Sequence, residues 1–274
     1  MILKYKSNGL KVLYLKLRTF LKMKSIYIFP VALVLIFLVS CKKDPPSVIR
    51  FDVKNKIYKG GCKGEECSEV IVDYIKFIGN APVSEKINSQ ISEFIKNSLK
   101  FNIEDTTSVS TIALAAEDFL NSYHIDKEEF PEISPYFAEI SVSNTYRSEE
   151  LLCLEMKQYL YTGGAHGYGS IWFLNIDIDT GEEILSNDLL KNEEEFTNYA
   201  EKKFREKMEI PMDSSINSTG FWFENDTFYL PETLGFQDSN LIILYNPYDI
   251  SSYASGMIEV SIPLEEVTPY LQLK

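Results

Sequence analysis

Two histidines are the only imidazole groups that the chain could use for acid–base or metal chemistry. One of them, His166, lies in the glycine-rich segment YTGGAHGYGS, residues 161–170. A catalytic histidine needs a nucleophile and an orienting acid beside it. The sequence has no nucleophile elbow, no HExxH motif and no His/Asp pair at metal-ligand spacing. We therefore predict a glycine-defined turn at His166 and no catalytic residue, with a hydrolase that uses His166 and an acidic residue as the alternative.

The remaining polar motifs favour structural roles. His124 falls at the end of a helix predicted over 110–125, where a cation suits the helix dipole. The motif NIDIDTGEE spaces Asn175, Asp177 and Asp179 at alternate positions, as in a calcium loop, but it lacks the bidentate glutamate of such a loop. An exposed strand face that ends in a DTG turn fits this motif better. We predict no metal site and no cofactor.

Four cysteines divide into one candidate for lipidation, Cys41, and three others. Cys62 and Cys67, in CKGEEC, could form half of a zinc site, but no second pair of ligands lies at a suitable spacing. In an oxidising compartment these two residues are predicted to form a disulfide that closes a turn. Cys153, in the strand-like run LLCLEM, is predicted to be a packed thiol, since a reactive nucleophile would need a nearby base.

The segment MKSIYIFPVALVLIFLVSC, residues 23–41, has the order of a bacterial lipoprotein signal. A short basic region precedes an apolar run of roughly 14 residues, which is shorter than the roughly 20 residues of a membrane-spanning helix. LVS before Cys41 resembles a lipobox, so Cys41 is predicted to carry a lipid; a signal anchor is the alternative, and either Met1 or Met23 could be the start. An aspartate after the lipidated cysteine retains many Gram-negative lipoproteins at the inner membrane, and this chain has Lys42 there. We therefore expect the protein in the cell envelope, anchored in the outer membrane and facing either the periplasm or the outside.

Charge limits the partners of the chain. The first 40 residues carry seven Lys or Arg and no acidic residue, which leaves 20 basic and 40 acidic residues and a formal charge of −20 for the remainder. Such a surface repels phosphate backbones, so nucleic-acid binding is not expected. A cationic partner, in contrast, would be attracted over about a Debye length.

Hydrophobic periodicity predicts an α+β fold, with mixed, mostly antiparallel sheets and about three packed helices. Two alternating runs around the cysteine turn predict a hairpin over 48–78. Ser84 is the predicted N-cap of the first helix. The helices are predicted over 83–101, 110–125 and 192–208, and strand-like runs include 226–237 and 239–249. The expected organisation is a signal peptide (1–40), a lipidated cysteine with a polar tether (41–50) and two subdomains (51–165 and 166–274).

Tyrosines concentrate in the loop NPYDISSYASG, residues 246–256. Tyrosine on a loop gives a large amphipathic contact area at little entropic cost, which suits recognition of a protein or a sugar. Packing of the loop onto the sheet is the alternative. Tyr248 and Tyr253, together with His166 and Tyr168, are the candidate ligand contacts.

Three segments in order resemble one family of bacterial extracellular domains. They are YLYTGGAHGYGS, NIDIDTGEEILSNDLL and the run from FYLPETLGF to EEVTPYL. The resemblance spans roughly residues 50–272. It is to the extracellular domain of RsiV-type lysozyme-responsive anti-sigma factors, to the non-catalytic N-terminal region of PdaC-type peptidoglycan deacetylases, and to lipoproteins of unknown function from Bacteroidetes-like bacteria. It implies a C-terminal subdomain similar to a piece of the Hsc70 ATPase fold, without implying nucleotide binding.

The same resemblance implies a binding or sensing module without catalysis. Residues 1–24 are too short for a sigma-binding domain, and no metal-site motif of a deacetylase follows the matched region. We therefore expect a lipoprotein held to the membrane by its lipid anchor. Its expected partner is a lysozyme-like protein or peptidoglycan.

Overall fold

A five-stranded sheet with its strands in chain order forms the centre of the fold. A computed structural model describes residues 50–63, 66–79, 81–100 and 109–272. All neighbouring strands are antiparallel except β2 and β3, which are parallel and therefore need a long connection. The strands are β1 (Arg50–Lys63), β2 (Glu66–Ile78), β3 (Phe137–Arg147), β4 (Leu151–Tyr161) and β5 (Tyr168–Asp177).

Two helices in the connection between β2 and β3 cover one face of this sheet. They are α1 (Ala81–Ser98) and α2 (Ile112–Glu129). Their apolar residues share a core with Val70 and Val72 of β2. The predicted N-cap at Ser84 is wrong, because α1 begins three residues earlier at Ala81, with Pro82 in its first turn, where proline is well tolerated. Thr111 caps α2 by accepting a hydrogen bond from Leu114 N.

The second half of the chain forms a three-stranded antiparallel sheet with its own core. Its strands are β6 (Leu234–Gln237), β7 (Asn240–Tyr245) and β8 (Ile258–Pro263). The helices are α3 (Ser186–Leu189), α4 (Glu193–Lys207) and α5 (Leu264–Val267), and short 3₁₀ turns cover 224–226, 253–255 and 268–270. The strand predicted over 226–237 is wrong before Leu234, where the segment runs in irregular structure past Pro231.

Strand β4 serves both cores. Alternate side chains of a strand point to opposite faces of the sheet, so Leu152 and Leu154 join the core under α1 and α2. Leu151 and Cys153 join the core of the second sheet. This double burial explains why LLCL has no polar residue.

The predicted α+β class with mixed, mostly antiparallel sheets is confirmed, and the three long helices correspond to the three predicted ones. Residues 48–274 form one compact unit. The subdomain boundary near residue 165 stays a prediction, although β5 pairs with β4 in the first sheet. The predicted signal peptide, Cys41 and most of the tether lie outside the described residues. Within those residues, no helix combines the length and apolar character that crossing a membrane requires.

Candidate functional site

The four candidate ligand contacts meet at one end of β5. The rings of His166 and Tyr253 stack with their centroids 3.8 Å apart and an interplanar angle of 18°. Tyr168 and Tyr248 stack with centroids 6.4 Å apart, and Tyr248 lies 5.8 Å from Tyr253. These residues, which we name the His166 cluster, therefore join the glycine turn to the tyrosine loop.

The peptide carbonyl of Gly167 fixes the two stacked rings of this cluster. His166 Nδ1 donates to Gly167 O over 2.9 Å, and the Tyr253 hydroxyl donates to the same oxygen over 2.8 Å. With its proton on Nδ1, a neutral His166 presents Nε2 as an acceptor. Among the described residues no carboxylate hydrogen-bonds or pairs with His166, whose side chain is exposed.

Glycines build the turn before β5, as the sequence predicts. Gly163 and Gly164 have φ values of 79° and 102°, a region that other residues rarely adopt. Gly167 is needed for a different reason, which is space: a Cβ there would clash with the hydroxyl oxygen of Tyr159. The turn prediction is thus confirmed.

A cleft of about 400 Å³ opens beside the His166 cluster, and Tyr168 belongs to both. We name it the Tyr168 cleft. It is bounded by β5, the end of β7 and the loops on either side of the second sheet. Its lining residues are Tyr168, Ile171, Trp172, Tyr229, Pro231, Glu232, Thr233, Leu244, Tyr245, Asn246 and Asp249.

Side chains of the cleft cover the free edge of β5. Ile171 N donates to Asn246 Oδ1 over 2.7 Å, and Asn246 Nδ2 donates to Ile171 O over 3.0 Å. Two residues further along, Phe173 N donates to Thr233 Oγ1 over 3.1 Å. These contacts fix the position of the loops that carry Tyr229, Glu232 and Asp249.

Two carboxylates give the cleft its charge. Burial raises the pKa of the Asp249 carboxyl, the hydrogen bond from Asn246 N lowers it, and the charge of Glu232 raises it further. The hydrogen bond from Asn246 N to Asp249 Oδ2 is 2.6 Å long. A site that raises the pKa of an acid in this way favours a bound cation or a hydrogen-bond donor.

The phenols around these acids remain neutral donors. Burial, followed by the charge of Asp249, raises the pKa of both Tyr168 and Tyr229. The Tyr168 hydroxyl donates to Pro247 O over 3.3 Å, and that of Tyr229 to Asp249 O over 3.2 Å. Their ring faces are therefore held in place at the wall of the cleft.

The other chemically interesting residues lie apart from this region. His124 is exposed on α2. Cys153 is fully buried, and burial raises the pKa of its thiol to about 11, so the predicted packed thiol is confirmed. Cys67 is disulfide-bonded, but the Cys62 side chain lies outside the described residues, so the Cys62–Cys67 pair stays a prediction.

The motif NIDIDTGEE is only partly as expected. Asn175 is buried, not exposed, and its amide donates to Leu234 O over 2.7 Å because β5 is covered there by β6. The DTG turn is confirmed: Asp177 Oδ1 accepts from Thr180 N over 2.8 Å. In the described part of the chain, no three His, Cys, Asp or Glu side chains are grouped as metal ligands would be.

Sequence reasoning missed Trp172, Tyr229, Glu232, Asn246 and Asp249 as parts of one site. Tyr168 and Trp172 are four apart on a strand, a spacing that places both on one face. The other four come from loops whose approach to β5 depends on tertiary packing. One signal was available, since Asn246 and Asp249 lie in the loop already noted for its tyrosines.

Two family models match the chain one after the other. The model described as "Deacetylase PdaC" matches residues 62–168, and the "Protein of unknown function (DUF3298)" model matches 182–265. The chain is PdaC/DUF3298-like. The family expected from the sequence is thereby confirmed at this level. No curated protein matches the chain in sequence.

Solved structures from two bacteria share this fold. A DUF3298-family member from Bacteroides fragilis is 18% identical with a TM-score of 0.68, and the match covers 84% of this chain and 96% of that one. A DUF3298-family protein from Pseudomonas aeruginosa is 20% identical with a TM-score of 0.63, covering 84% and 95%. At these identities the PdaC/DUF3298-like chain shares the architecture of both proteins.

Proposed function

We propose that this PdaC/DUF3298-like chain is a non-catalytic binding module of the cell envelope, anchored by a lipid on Cys41, which binds cell-wall glycan in the Tyr168 cleft. The observation that carries the proposal is the combination of aromatic rings with two carboxylates in one cleft of about 400 Å³. That volume is within the usual range for small-molecule sites.

The chemistry of the cleft suits a sugar. The rings of Tyr168, Trp172 and Tyr229 offer flat apolar surfaces to the C–H faces of a pyranose, while the hydroxyls of the two tyrosines remain hydrogen-bonded. Glu232 and Asp249 can accept hydrogen bonds from sugar hydroxyls or from an amino group. An acidic cleft disfavours polymers rich in phosphate.

The contacts of His166 support binding better than they support hydrolysis by this residue. The ring stacks on Tyr253 and donates to Gly167 O, so an acid that orients it as in a catalytic triad is not among its described contacts. We therefore assign His166 a role in shaping the rim of the cleft.

Trp172 provides the direct test. The chain has two tryptophans, and Trp222 lies outside the residues that line the cleft. In Trp222→Phe, soluble peptidoglycan glycan strands should shift the fluorescence of Trp172. Trp172→Ala should weaken binding at least about tenfold, whereas Trp222→Ala should bind as the wild type does. Equal affinity of both variants would overturn the assignment of the site.

A glycan hydrolase is a second candidate, which the raised pKa of Asp249 beside Glu232 favours. Such a pair could act as acid and base around a glycosidic bond. Zymography on peptidoglycan separates the two functions. Lysis by the wild type that disappears in Asp249→Asn or His166→Ala would support a hydrolase, and absence of lysis with retained binding would support the binding module.

A lysozyme-like protein is the second candidate partner, because a formal charge of −20 after the first 40 residues attracts a basic protein. This association should weaken steeply with salt. Absence of complex formation at low ionic strength would remove this partner and leave the glycan proposal intact.

A further inference from the structure

Two separate loops each bring a carboxylate to the Tyr168 cleft. Glu232 lies in the segment before β6, and Asp249 lies in the loop after β7. Both residues are exposed, so a ligand can reach them. They are close enough that the charge of Glu232 raises the pKa of the Asp249 carboxyl. The cleft therefore holds two negative charges that repel each other.

No described basic residue compensates these charges inside the cleft. Among the described residues that line it there is no lysine, arginine or histidine. Neither carboxylate forms an ion pair with a described residue. Asp249 Oδ2 accepts from Asn246 N, which is a neutral donor. The charge of the cleft is thus left for a ligand to neutralise.

Aromatic rings lie beside the two acids and favour the same kind of ligand. Tyr229 is 39% exposed, and its ring meets that of Tyr245 at 82° with the centroids 6.2 Å apart. Trp172 lines the same cleft. The face of a tryptophan or tyrosine ring attracts a cation that lies within about 6 Å of its centre. Rings and carboxylates together therefore favour a ligand that carries a positive charge.

Hydrogen bonds fix the backbone of both loops. Ser186 Oγ donates to Glu232 O over 3.0 Å and accepts from Leu234 N over 3.2 Å. The loop of Asp249 is held by the pairing of Asn246 with the edge of β5. Because the loops that carry the acids are already ordered, little binding free energy is lost in arranging them around a ligand.

Charge distinguishes the two forms of amino sugar that a cell-wall glycan can present. An N-acetylated sugar is neutral at its nitrogen, so it would cover both carboxylates without neutralising them, and desolvation of an unpaired charge is costly. A free amino group beside two carboxylates is held in its protonated form. It then brings a positive charge and three N–H donors to the acids.

We propose that the Tyr168 cleft selects de-N-acetylated amino sugars, whose ammonium group binds Asp249 and Glu232 while the pyranose ring packs on Trp172. This inference rests on the proposed glycan binding and names the class of glycan that the cleft takes. The acetyl group of an N-acetylated sugar both removes the charge and occupies the space in which the ammonium group would meet the acids.

Two oligosaccharides of equal length test the selection, one of glucosamine and one of N-acetylglucosamine. The sample is the soluble chain from Lys43 onward, which contains the whole compact unit and both cores. Calorimetry should give the glucosamine oligomer an affinity at least about tenfold higher. Asp249→Asn and Glu232→Gln should each reduce this preference, and the double variant should abolish it.

Glu117 provides the matched control for charge. It is exposed on α2 and lies outside the residues that line the cleft. Glu117→Gln removes the same charge as Glu232→Gln and should keep the full preference. An equal loss in both variants would reveal a general attraction of the acidic chain for cations and would overturn the assignment to the cleft. Asp249→Asn keeps an oxygen that can accept from Asn246 N, and if circular dichroism shows it unfolded, Glu232→Gln decides alone.

The outcomes separate this inference from the glycan proposal. Equal affinity for the two oligomers, with both weakened by Trp172→Ala, would overturn the selection and leave the glycan site in place. Absence of binding by either oligomer would also overturn the selection, and the fluorescence titration with peptidoglycan strands then decides whether glycan binding falls too. Nα-acetyllysine offers an ammonium group without a sugar. If it binds as tightly as the glucosamine oligomer, the selection for a sugar is wrong.

Discussion

The side chain of Asn246 pairs with the backbone of Ile171 as a residue of a neighbouring strand would. Its amide accepts from Ile171 N over 2.7 Å and donates to Ile171 O over 3.0 Å. The same arrangement occurs elsewhere in this sheet, where β2 extends beyond β3. There the Asn88 side chain accepts a hydrogen bond from Phe77 N and donates one to Phe77 O. Both edges are thereby satisfied without another strand, which also blocks edge-to-edge association.

Replacement of Asn246 by alanine should destabilise the fold. The change leaves the half-buried N–H and C=O of Ile171 without this partner, which costs about 1–2 kcal/mol. Urea unfolding of Asn246→Ala should show this loss. Asn187 is exposed on α3, and Asn187→Ala should stay within about 0.5 kcal/mol of the wild type. If the two variants are equally stable, the edge pairing contributes nothing.

Gly235 should not tolerate a side chain. A Cβ at this position would lie 2.6 Å from three ring atoms of Phe173, where β6 packs on β5. Overpacking of this kind costs about 1–3 kcal/mol, so Gly235→Ala should lower the midpoint of urea unfolding. Gly169→Ala in β5 is the control, because its Cβ would meet Tyr159 at an ordinary 3.4 Å. A smaller loss for Gly235→Ala than for Gly169→Ala would contradict this packing.

Much of the fold could be predicted because strands and helices each repeat their apolar residues at a characteristic spacing. The hairpin of β1 and β2 and the three long helices follow from alternation and from apolar residues three or four apart. The start of α1 could not be placed, since proline at 82 suits a first helical turn and serine at 84 suits an N-cap, and the two indicate different starts. The burial of Asn175 depends on β6, which lies almost sixty residues further along the chain.

The candidate site was predictable in its parts and not as a whole. Glycines and tyrosines near 166 and 250 indicated two unusual loops, but no local pattern indicates that the His166 and Tyr253 rings stack. In the sequence, nothing distinguishes Trp172 from the other residues of its strand. The cleft exists because Asn246 and Thr233 bind the edge of β5, and such long-range hydrogen bonds have no sequence period.

The stability of the fold should fall in alkali because of Cys153. Burial raises the pKa of its thiol to about 11 from 9.0. The unfolded chain therefore loses this proton first, and stability that is fully present below pH 9 is lost as the pH approaches 11. In urea unfolding the wild type should lose about 2 kcal/mol more over this interval than Cys153→Val. Parallel pH profiles of the two proteins would contradict this.

The predicted Cys62–Cys67 disulfide can be tested by counting reactive thiols. The soluble chain from Lys43 contains three cysteines, and the oxidised protein unfolded in denaturant should expose one reactive thiol, that of Cys153. Cys67→Ser should expose two. Loss of the small loop should lower the free energy of unfolding by about 2 kcal/mol. Three reactive thiols in the unreduced wild type would exclude the bridge.

Lipidation of Cys41 is the prediction on which the location of the protein depends. Cells that express the full chain should incorporate labelled palmitate into it, and Cys41→Ala should abolish the label because the acceptor thiol is gone. Cys153→Ala serves as the matched control and should label fully, since that thiol is buried in the second core. Equal labelling of Cys41→Ala and wild type would refute the anchor.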